Sequence, residues 1–493
     1  VYQVKSWLVP IYLKNRHWSK PPLHFWLPQP FFLISGAASL FLSRLAIVIS
    51  TILLTLCIDK WAQKFLGFQK YLLFFVLVAS VGFLKYGRIY MMEMPLSLLT
   101  ALSSLYFFQY LEFKRSRDFL VLILCTASAN LIKGPVSFVM NFGAVFFYLA
   151  YEYIHKKKLI VRPYLIWIVA SVILGSIWYL TCYIQYGNEF IDYFFLRENL
   201  GKFQSKSYPI SSVINGLLVF SLPWTLLLPI FFNKTLLQNL WKEKVNRFII
   251  FHFVFLFLLW MIPSQRSHHY AMPAQPFFLI LITIVLINLR KNLNQVWLKN
   301  LFKTIPCLLL FFAGLLSSSL IFEEIRSHAI FLLRIISGII IILTGAIYLL
   351  RSRTGLYKTA IISFISFGYI WIIFAPTFYL PTVPQNVVNK AKSQQVSVIY
   401  HKPYFLSELL GTEVRVLNQS LIQADVNSPK KFYIMSQKDF NRFGFKSFLR
   451  IQKIWPVWIR GSKLKNIMHA FSAKSLKGLQ ENMVLLVPLS PSS

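Results

Sequence analysis

The sequence predicts a mostly α protein, a polytopic bundle of transmembrane helices followed by a small α/β domain, and three observations carry that prediction. Hydrophobic residues fill 56% of the 493 positions, aromatic residues 17% and charged residues only 14%. With a mean hydropathy of +0.58, such a chain cannot hide its apolar surface in a soluble globule of this size. Apolar runs near the length of a bilayer crossing recur through residues 1–380, and beyond them the pattern changes to short or alternating apolar runs between polar, turn-rich segments.

The runs, in chain order, cover residues 44–58, 71–84, 95–111, 119–132, 136–151, 164–184, 213–232, 248–262, 276–288, 304–321, 330–350 and 359–380, which makes twelve candidate crossings. Several fall short of the roughly 20 residues that a spanning helix needs, so interfacial Tyr, Trp and Lys must complete them, or they must lie inside the bundle. Loops 59–70, 112–118, 152–163, 233–247, 289–303 and 351–358 each hold three or four Lys and Arg; the alternate loops 85–94, 133–134, 185–212, 263–275 and 323–328 hold one to three. The more basic set is therefore expected in the cytoplasm. Twelve crossings then place the start of the chain and the tail both on the far side. A start at Val1 without a leader is awkward there, so one further transmembrane helix is expected upstream. The expected domains are a transmembrane part, 1–380, whose first 43 residues form an outer interfacial segment, and an extracytoplasmic α/β domain, 381–493, with strands at 396–400, 414–417, 431–435 and 483–488.

The balance of 51 Lys and Arg against 16 Asp and Glu gives a formal net charge of +35. In a soluble protein that would suggest nucleic acid. In a membrane chain it reads as topology determinant and anchor to anionic lipid, so no nucleic-acid partner is expected. Cys57, Cys125, Cys182 and Cys307 all lie in apolar runs without ligand spacing and read as packing residues, not as disulfides or a metal site.

Ionisable residues set against hydrocarbon mark chemistry. The first is Lys20, in Trp18-Ser19-Lys20-Pro21-Pro22-Leu23-His24-Phe25-Trp26-Leu27, where Pro-Pro stiffens the chain and the aromatic residues suit a helix lying in the interface. Lys20 either snorkels to headgroups or serves a ligand. In Arg88-Ile89-Tyr90-Met91-Met92-Glu93-Met94-Pro95-Leu96, Glu93 opens a helix with Pro95 in its first turn, where the helix dipole favours a carboxylate. It is the only acidic residue between Asp59 and Glu112, and Arg88 is close enough in sequence to orient it. Asn130-Leu131-Ile132-Lys133-Gly134-Pro135 sets a cation at a tight hairpin, and residues 190–203, with Arg197 and Asn199, form an aromatic amphipathic stretch able to cradle a lipid-linked ligand. Arg266, His268, His269 and Tyr270 then stand in residues 263–273 at the mouth of a helix pair. Adjacent histidines point in different directions on a helix, so no two-His metal site is expected, although one of them can join ligands from elsewhere.

The order and spacing of these five elements resemble the polyprenyl-phosphate-dependent GT-C glycosyltransferases of the protein mannosyltransferase and aminoarabinose transferase (ArnT-like) superfamily, and most of all the bacterial enzymes that modify lipid A. The resemblance runs from residue 1 to about residue 280. It rests on Lys20-Pro-Pro-Leu with its aromatic pair, Arg88-x4-Glu93-Met-Pro-Leu, Lys133-Gly-Pro, Arg197-Glu-Asn-Leu-Gly-Lys-Phe and the basic, aromatic Tyr270-x-x-Pro segment. It implies a GT-C bundle that transfers one sugar from a polyprenyl-phosphate carrier to lipid A, a glycan or a protein at the outer face of the bacterial cytoplasmic (inner) membrane. A sugar held through C1 to a lipid phosphate departs from a phosphate that gains charge, so fixed cations matter, and Lys20, Lys133 and Arg266 are the candidates. Glu93 is the candidate catalytic carboxylate, with Arg88, Arg197, Asn199, His268, His269 and Tyr270 in support.

Relatives in that superfamily carry an acidic motif, usually Asp-Glu, at the outer end of the first transmembrane helix, a position upstream of Val1. The lipid A enzymes often have an acidic residue associated with metal where this chain has Ser19, so the cofactor expectation stays open between none and a divalent metal. The expected partners are a polyprenyl-phosphate-linked sugar donor, a lipid or protein acceptor and membrane lipids, with the chain a monomer. Two alternatives stand beside the enzyme: a transporter or flippase of lipid-linked saccharide, which should show broken helices in matched halves, and a catalytically inactive homologue.

Overall fold

A computed structural model describes residues 6–12, 15–156, 160–200, 208–292, 300–351, 355–374, 383–393, 395–399, 414–417, 431–447, 449–458 and 464–489. All twelve apolar runs contain helix, and the protein is a mainly helical, multi-pass membrane protein with a small carboxy-terminal sheet. By length and composition alone, five of the described helices could cross a bilayer: Leu40–Leu66, Arg162–Tyr186, Asn300–Ile321, Ala329–Arg351 and Leu356–Ile373.

Two of the predicted runs are not single helices. Run 71–84 is split into Leu72–Val78 and Val81–Tyr86. Run 213–232 is split into Ser211–Phe220 and Trp224–Phe232, bent by 109°. Pro223 has no amide hydrogen with which to continue the helix through the second break. The freed backbone groups cannot remain unpaired in hydrocarbon, and the two breaks satisfy one another. Val81 N–H donates to Leu222 O at 3.0 Å, Trp224 Nε1–H to Val76 O at 2.7 Å, and the Gln275 amide to Phe220 O at 2.7 Å and Ser80 Oγ at 3.2 Å. Gly82 permits this approach, because a Cβ there would lie 2.7 Å from the Gln275 side chain and 2.8 Å from Phe220 Cβ.

The chain divides into two compact units, residues 1–311 with 341–369, and residues 312–340 with 370–493. The second therefore includes the hairpin around residue 325 as well as the tail that the sequence sets apart at 381.

In the first unit, helix Glu93–Phe113 carries buried residues on every face. Polar contacts join it to its neighbours where hydrophobicity alone gives no directional preference. Ser103 Oγ meets Thr126 Oγ1 at 2.7 Å, and Trp167 Nε1–H donates to the same Thr126 oxygen at 2.9 Å. Trp61 Nε1–H donates to Leu105 O at 2.9 Å, and Asn130 Nδ2–H to Gly175 O at 2.8 Å. Asp59 accepts from the Tyr71 and Phe74 amides at 3.0 and 3.1 Å and so caps the helix that starts at Leu72. At the same end, the one with basic loops, buried Arg247 and Glu152 pair at 3.1 Å, and Arg247 also donates to the carbonyls of Trp241 and Lys242 at 2.8 Å.

The strands are β1 (Ile11–Tyr12), β2 (Asn15–Arg16), β3 (Gln395–Ile399), β4 (Val414–Leu417), β5 (Lys431–Ser436), β6 (Leu449–Trp458) and β7 (Gln480–Pro488). β1 and β2 form a small hairpin, while the other five form one mixed sheet in the order β4-β3-β5-β7-β6. All four expected tail strands are present, and β6 is additional. Its alternation is obscured by Arg450, Gln452, Lys453 and Pro456, which an edge strand tolerates because one rim needs no partner; a register shift falls between Ile451 and Lys453. The sheet has two apolar faces, one with Phe432, Ile434, Trp455 and Leu485, the other with Tyr433, Met435, Val484 and Leu486 under Phe440 and Phe445.

Candidate functional site

The site is built at the end of the first unit where helix Glu93–Phe113 begins and helix Ser116–Lys133 ends. Glu93 is the first residue of its helix and is buried. Lys133 is the last residue of the neighbouring helix, which Gly134 terminates at φ +96°, a value that favours glycine. This antiparallel pairing sets Lys133 Nζ 3.6 Å from Glu93 Oε1. The ammonium also lies over the rings of Tyr270, at 4.6 Å, and Trp260, at 5.0 Å.

Residues 261–272 bring the third member. Arg266 donates from Nε to Met261 O at 2.9 Å and from Nη1 to Tyr208 O at 2.7 Å. His268 Nδ1–H faces Ser212 O at 2.9 Å, and a Cβ at residue 216 would meet His268 O at 2.1 Å, so the chain passes there only over glycine. His269 points the other way, with Nε2 3.4 Å from Glu93 Oε1 and Nδ1 2.8 Å from Ser267 Oγ. Burial holds the His269 pKa below its usual range; Glu93 opposes this, and Lys133, Lys85 and His268 reinforce it. A neutral ring that directs Nε2–H to the carboxylate and accepts at Nδ1 from the Ser267 hydroxyl fits these contacts. Glu93 Oε2 is buried with no hydrogen-bond partner among the described residues.

A second group of charges surrounds Lys20. Leu8 and Trp18 are pinned to helix Arg162–Tyr186 and the segment after it: Trp178 Nε1–H donates to Leu8 O at 2.8 Å, and Trp18 packs with Tyr186, Phe190 and Tyr193. That cluster holds Lys20 Nζ 3.8 Å from Glu198 Oε2, and both side chains are about one-quarter exposed, at 24% and 21%. Beside them His17 Nε2 lies 2.8 Å from Ser19 Oγ, and the His17 pKa is lowered first by burial and then by Lys20. His24 links the two groups. Its helix, Leu23–Trp26, packs against the helix that ends at Lys133, and its ring stacks on Tyr90 at 4.2 Å. Burial pushes its pKa down to about 4, against the raising field of Glu93.

Of the residues singled out in the sequence, Glu93, Lys133, His269 and Tyr270 form one cluster. Lys20 lies in the neighbouring group. His268 faces backbone, and Arg266 binds the carbonyls of Met261 and, from another loop, Tyr208. Arg88 does not orient Glu93: it donates to Leu84 O at 3.2 Å, and the polar side chains beside Glu93 Oε1 among the described residues are the Lys133 ammonium and the His269 ring. Its distance in sequence misled, because the chain turns between residues 88 and 93. Arg197 is exposed over the Tyr193 ring at 5.3 Å, and the Asn199 side chain lies outside the described residues. Sequence reasoning passed over Glu198, between two residues it named, and over His17, His24, Trp260 and Lys85, whose ammonium lies over Tyr86 and Phe220 at 5.0 and 5.3 Å. The scarcity of acidic residues was the available signal for Glu198; the others have none in a single sequence. Among the described residues no three His, Cys, Asp or Glu side chains are grouped to hold a metal ion, so no step is derived through one.

Residues 19–179 match the family model described as dolichyl-phosphate-mannose-protein mannosyltransferase. Two uncharacterised proteins of Aquifex aeolicus (strain VF5) are similar: one is 27% identical over 304 residues, 59% of each chain, and the other 28% identical over 293 residues, 56% of this chain and 62% of that one. The chain spans about three-fifths of the length of these relatives. Its fold is similar to ArnT from Cupriavidus metallidurans bound to undecaprenyl phosphate, with a TM-score of 0.69 and 13% identity over 98% of this chain and 91% of that one. The apo state of the same protein gives a TM-score of 0.68 at 12% identity, over 98% and 90%. At this identity the likeness speaks for the fold. The family match over residues 19–179 agrees with the resemblance read from the motifs in that part of the chain.

Proposed function

We propose that the chain is a GT-C membrane glycosyltransferase that moves one sugar from a polyprenyl-phosphate carrier to an acceptor on the outer face of the cytoplasmic membrane. The observation that carries this reading is the buried Glu93 carboxylate, paired through Oε1 with Lys133 and His269 while Oε2 has no partner among the described residues. In this reading the acceptor oxygen attacks C1 of the sugar, the C1–O bond to phosphate breaks, and the electron pair leaves with the lipid phosphate. Lys20 holds the carrier phosphate in ground state and transition state alike, and Lys133 stabilises the charge that gathers on it as the bond breaks, with Arg266 at the rim. Glu93 Oε2 takes the proton of a hydroxyl acceptor; an acceptor that is itself a phosphate needs no base. The undecaprenyl phosphate held by the ArnT of the same fold supports a carrier of that chemistry, and the matched mannosyltransferase model supports sugar transfer.

One observation favours a second reading, a carrier of lipid-linked saccharide: helices are interrupted at residues 79–80 and 221–223. Their free backbone groups are engaged with each other and with Gln275, which argues for a structural role. Purified protein in liposomes, given polyprenyl-phosphate sugar labelled in the sugar, separates the two. Label on an acceptor with no movement of intact donor supports transfer, whereas movement of intact donor without transfer overturns it.

A further inference from the structure

The second compact unit carries an apolar helix face that the glycosyltransferase reading does not use. Helix Leu464–Ser472 is short and amphipathic. Ala470 on one side joins Leu476, Phe322, Ile325 and Ile335 in a buried core. Met468 stands on the side away from Ala470 and is 63% exposed, flanked by Ile467 and Phe471, 37% and 36% exposed, of which Phe471 also packs its ring on Phe322 with centroids 4.9 Å apart. The helix is also tied by polar contacts to the turn at residues 322–328. Glu324 accepts from the Ser475 hydroxyl and, at 3.1 Å, from the Leu476 amide, and Glu323 N–H donates to Lys474 O at 3.3 Å.

That turn fixes the depth of the helix. It joins Asn300–Ile321 and Ala329–Arg351, two helices with mean hydropathy of 2.0 and 2.5 over their most apolar windows, each long enough to cross a bilayer. A turn between two crossings lies at a membrane surface, and an element docked on the turn lies at headgroup depth. The charge pattern agrees. Residues 459–480 contain Arg460, Lys463, Lys465, Lys474 and Lys477 and no Asp or Glu.

We infer that helix Leu464–Ser472 is an interfacial anchor that inserts Met468, with the exposed edges of Ile467 and Phe471, among the headgroups of anionic phospholipid, with the neighbouring lysines on the lipid phosphates. The anchor fixes the β-sheet of this unit against the bilayer that the 300–351 hairpin crosses.

The test uses the full chain in nanodiscs. A spin label is placed at Met468→Cys in a background in which the four native cysteines are Ala, with Lys453→Cys on β6 as the exposed control. In discs rich in phosphatidylglycerol the label at 468 should collide with oxygen severalfold more than with a water-soluble nickel chelate, relative to the label at 453. The preference should fall in phosphatidylcholine alone and in the variant with Lys465, Lys474 and Lys477 changed to Gln. Water access at 468 equal to that at 453 overturns the anchor, as does spin–spin broadening, which would show a second copy on this face. Equal insertion in both lipids overturns the anionic partner.

Discussion

Glu93→Gln keeps the shape of the side chain at the centre of the site and removes its charge. Lys133 Nζ is 3.6 Å away, and two unit charges at that distance attract by about 4–5 kcal/mol at an effective dielectric of about 20. Burial of both groups offsets much of this, and removing one partner of a buried pair costs about 3–5 kcal/mol. The amide oxygen still faces Lys133 and His269, so the loss of stability should be about 3 kcal/mol or below, seen as a modest fall in thermal midpoint in detergent. The loss of a proton acceptor is larger in rate, about 10²–10⁴ in kcat. Turnover of a hydroxyl acceptor with labelled polyprenyl-phosphate sugar at saturating donor reads that number, and KM for donor should change little. Glu93→Asp, which restores the charge at a shorter reach, should recover part of the rate. A folded Glu93→Gln variant within about tenfold of wild-type turnover, or a loss wholly in KM, would refute the assignment of Glu93 as base.

Lys20→Ala should raise the donor KM by about 10–100-fold with kcat nearly unchanged, as expected for a charged hydrogen bond to a phosphate; an unchanged KM removes Lys20 from donor binding. His24 is neutral in the fold because burial holds its pKa at about 4, whereas the unfolded chain takes up a proton near 6.5. Stability is therefore complete above the unfolded value and falls as pH drops from about 6.5 to about 4, by about 3 kcal/mol in all; thermal midpoints across that window should slope, and His24→Gln should flatten the slope. Away from the site, Arg247→Met or Glu152→Leu alone should destabilise by about 3–5 kcal/mol and the double variant by much less, so additive losses in denaturation would deny that the pair acts as a unit.

Much of the bundle is legible in the sequence because a bilayer leaves few choices: long apolar runs must be helices, and all twelve runs contain them. The four tail strands read the same way from their short apolar runs, while β6 is hidden by Lys453 and Pro456, which its place at the sheet edge permits. The broken helices escape such reading, since hydrophobicity along residues 71–84 and 213–232 is continuous and the breaks depend on Gln275, Ser80 and Gly82 meeting across the bundle. Glu93, Lys133 and His269 are visible one by one as ionic residues at helix ends. Arg88 shows the limit of that view, being close to Glu93 in sequence and engaged elsewhere.

The sequence by itself determined that this chain lives in a membrane, where its helices run and which ionic side chains are too costly there to be incidental, because the price of charge and unpaired backbone in hydrocarbon is paid locally, residue by residue. Only the tertiary structure decided which charges meet. Lys133 and His269 reach Glu93 from 40 and 176 positions away in the chain, and a Coulombic interaction depends on distance in space, which linear spacing does not encode.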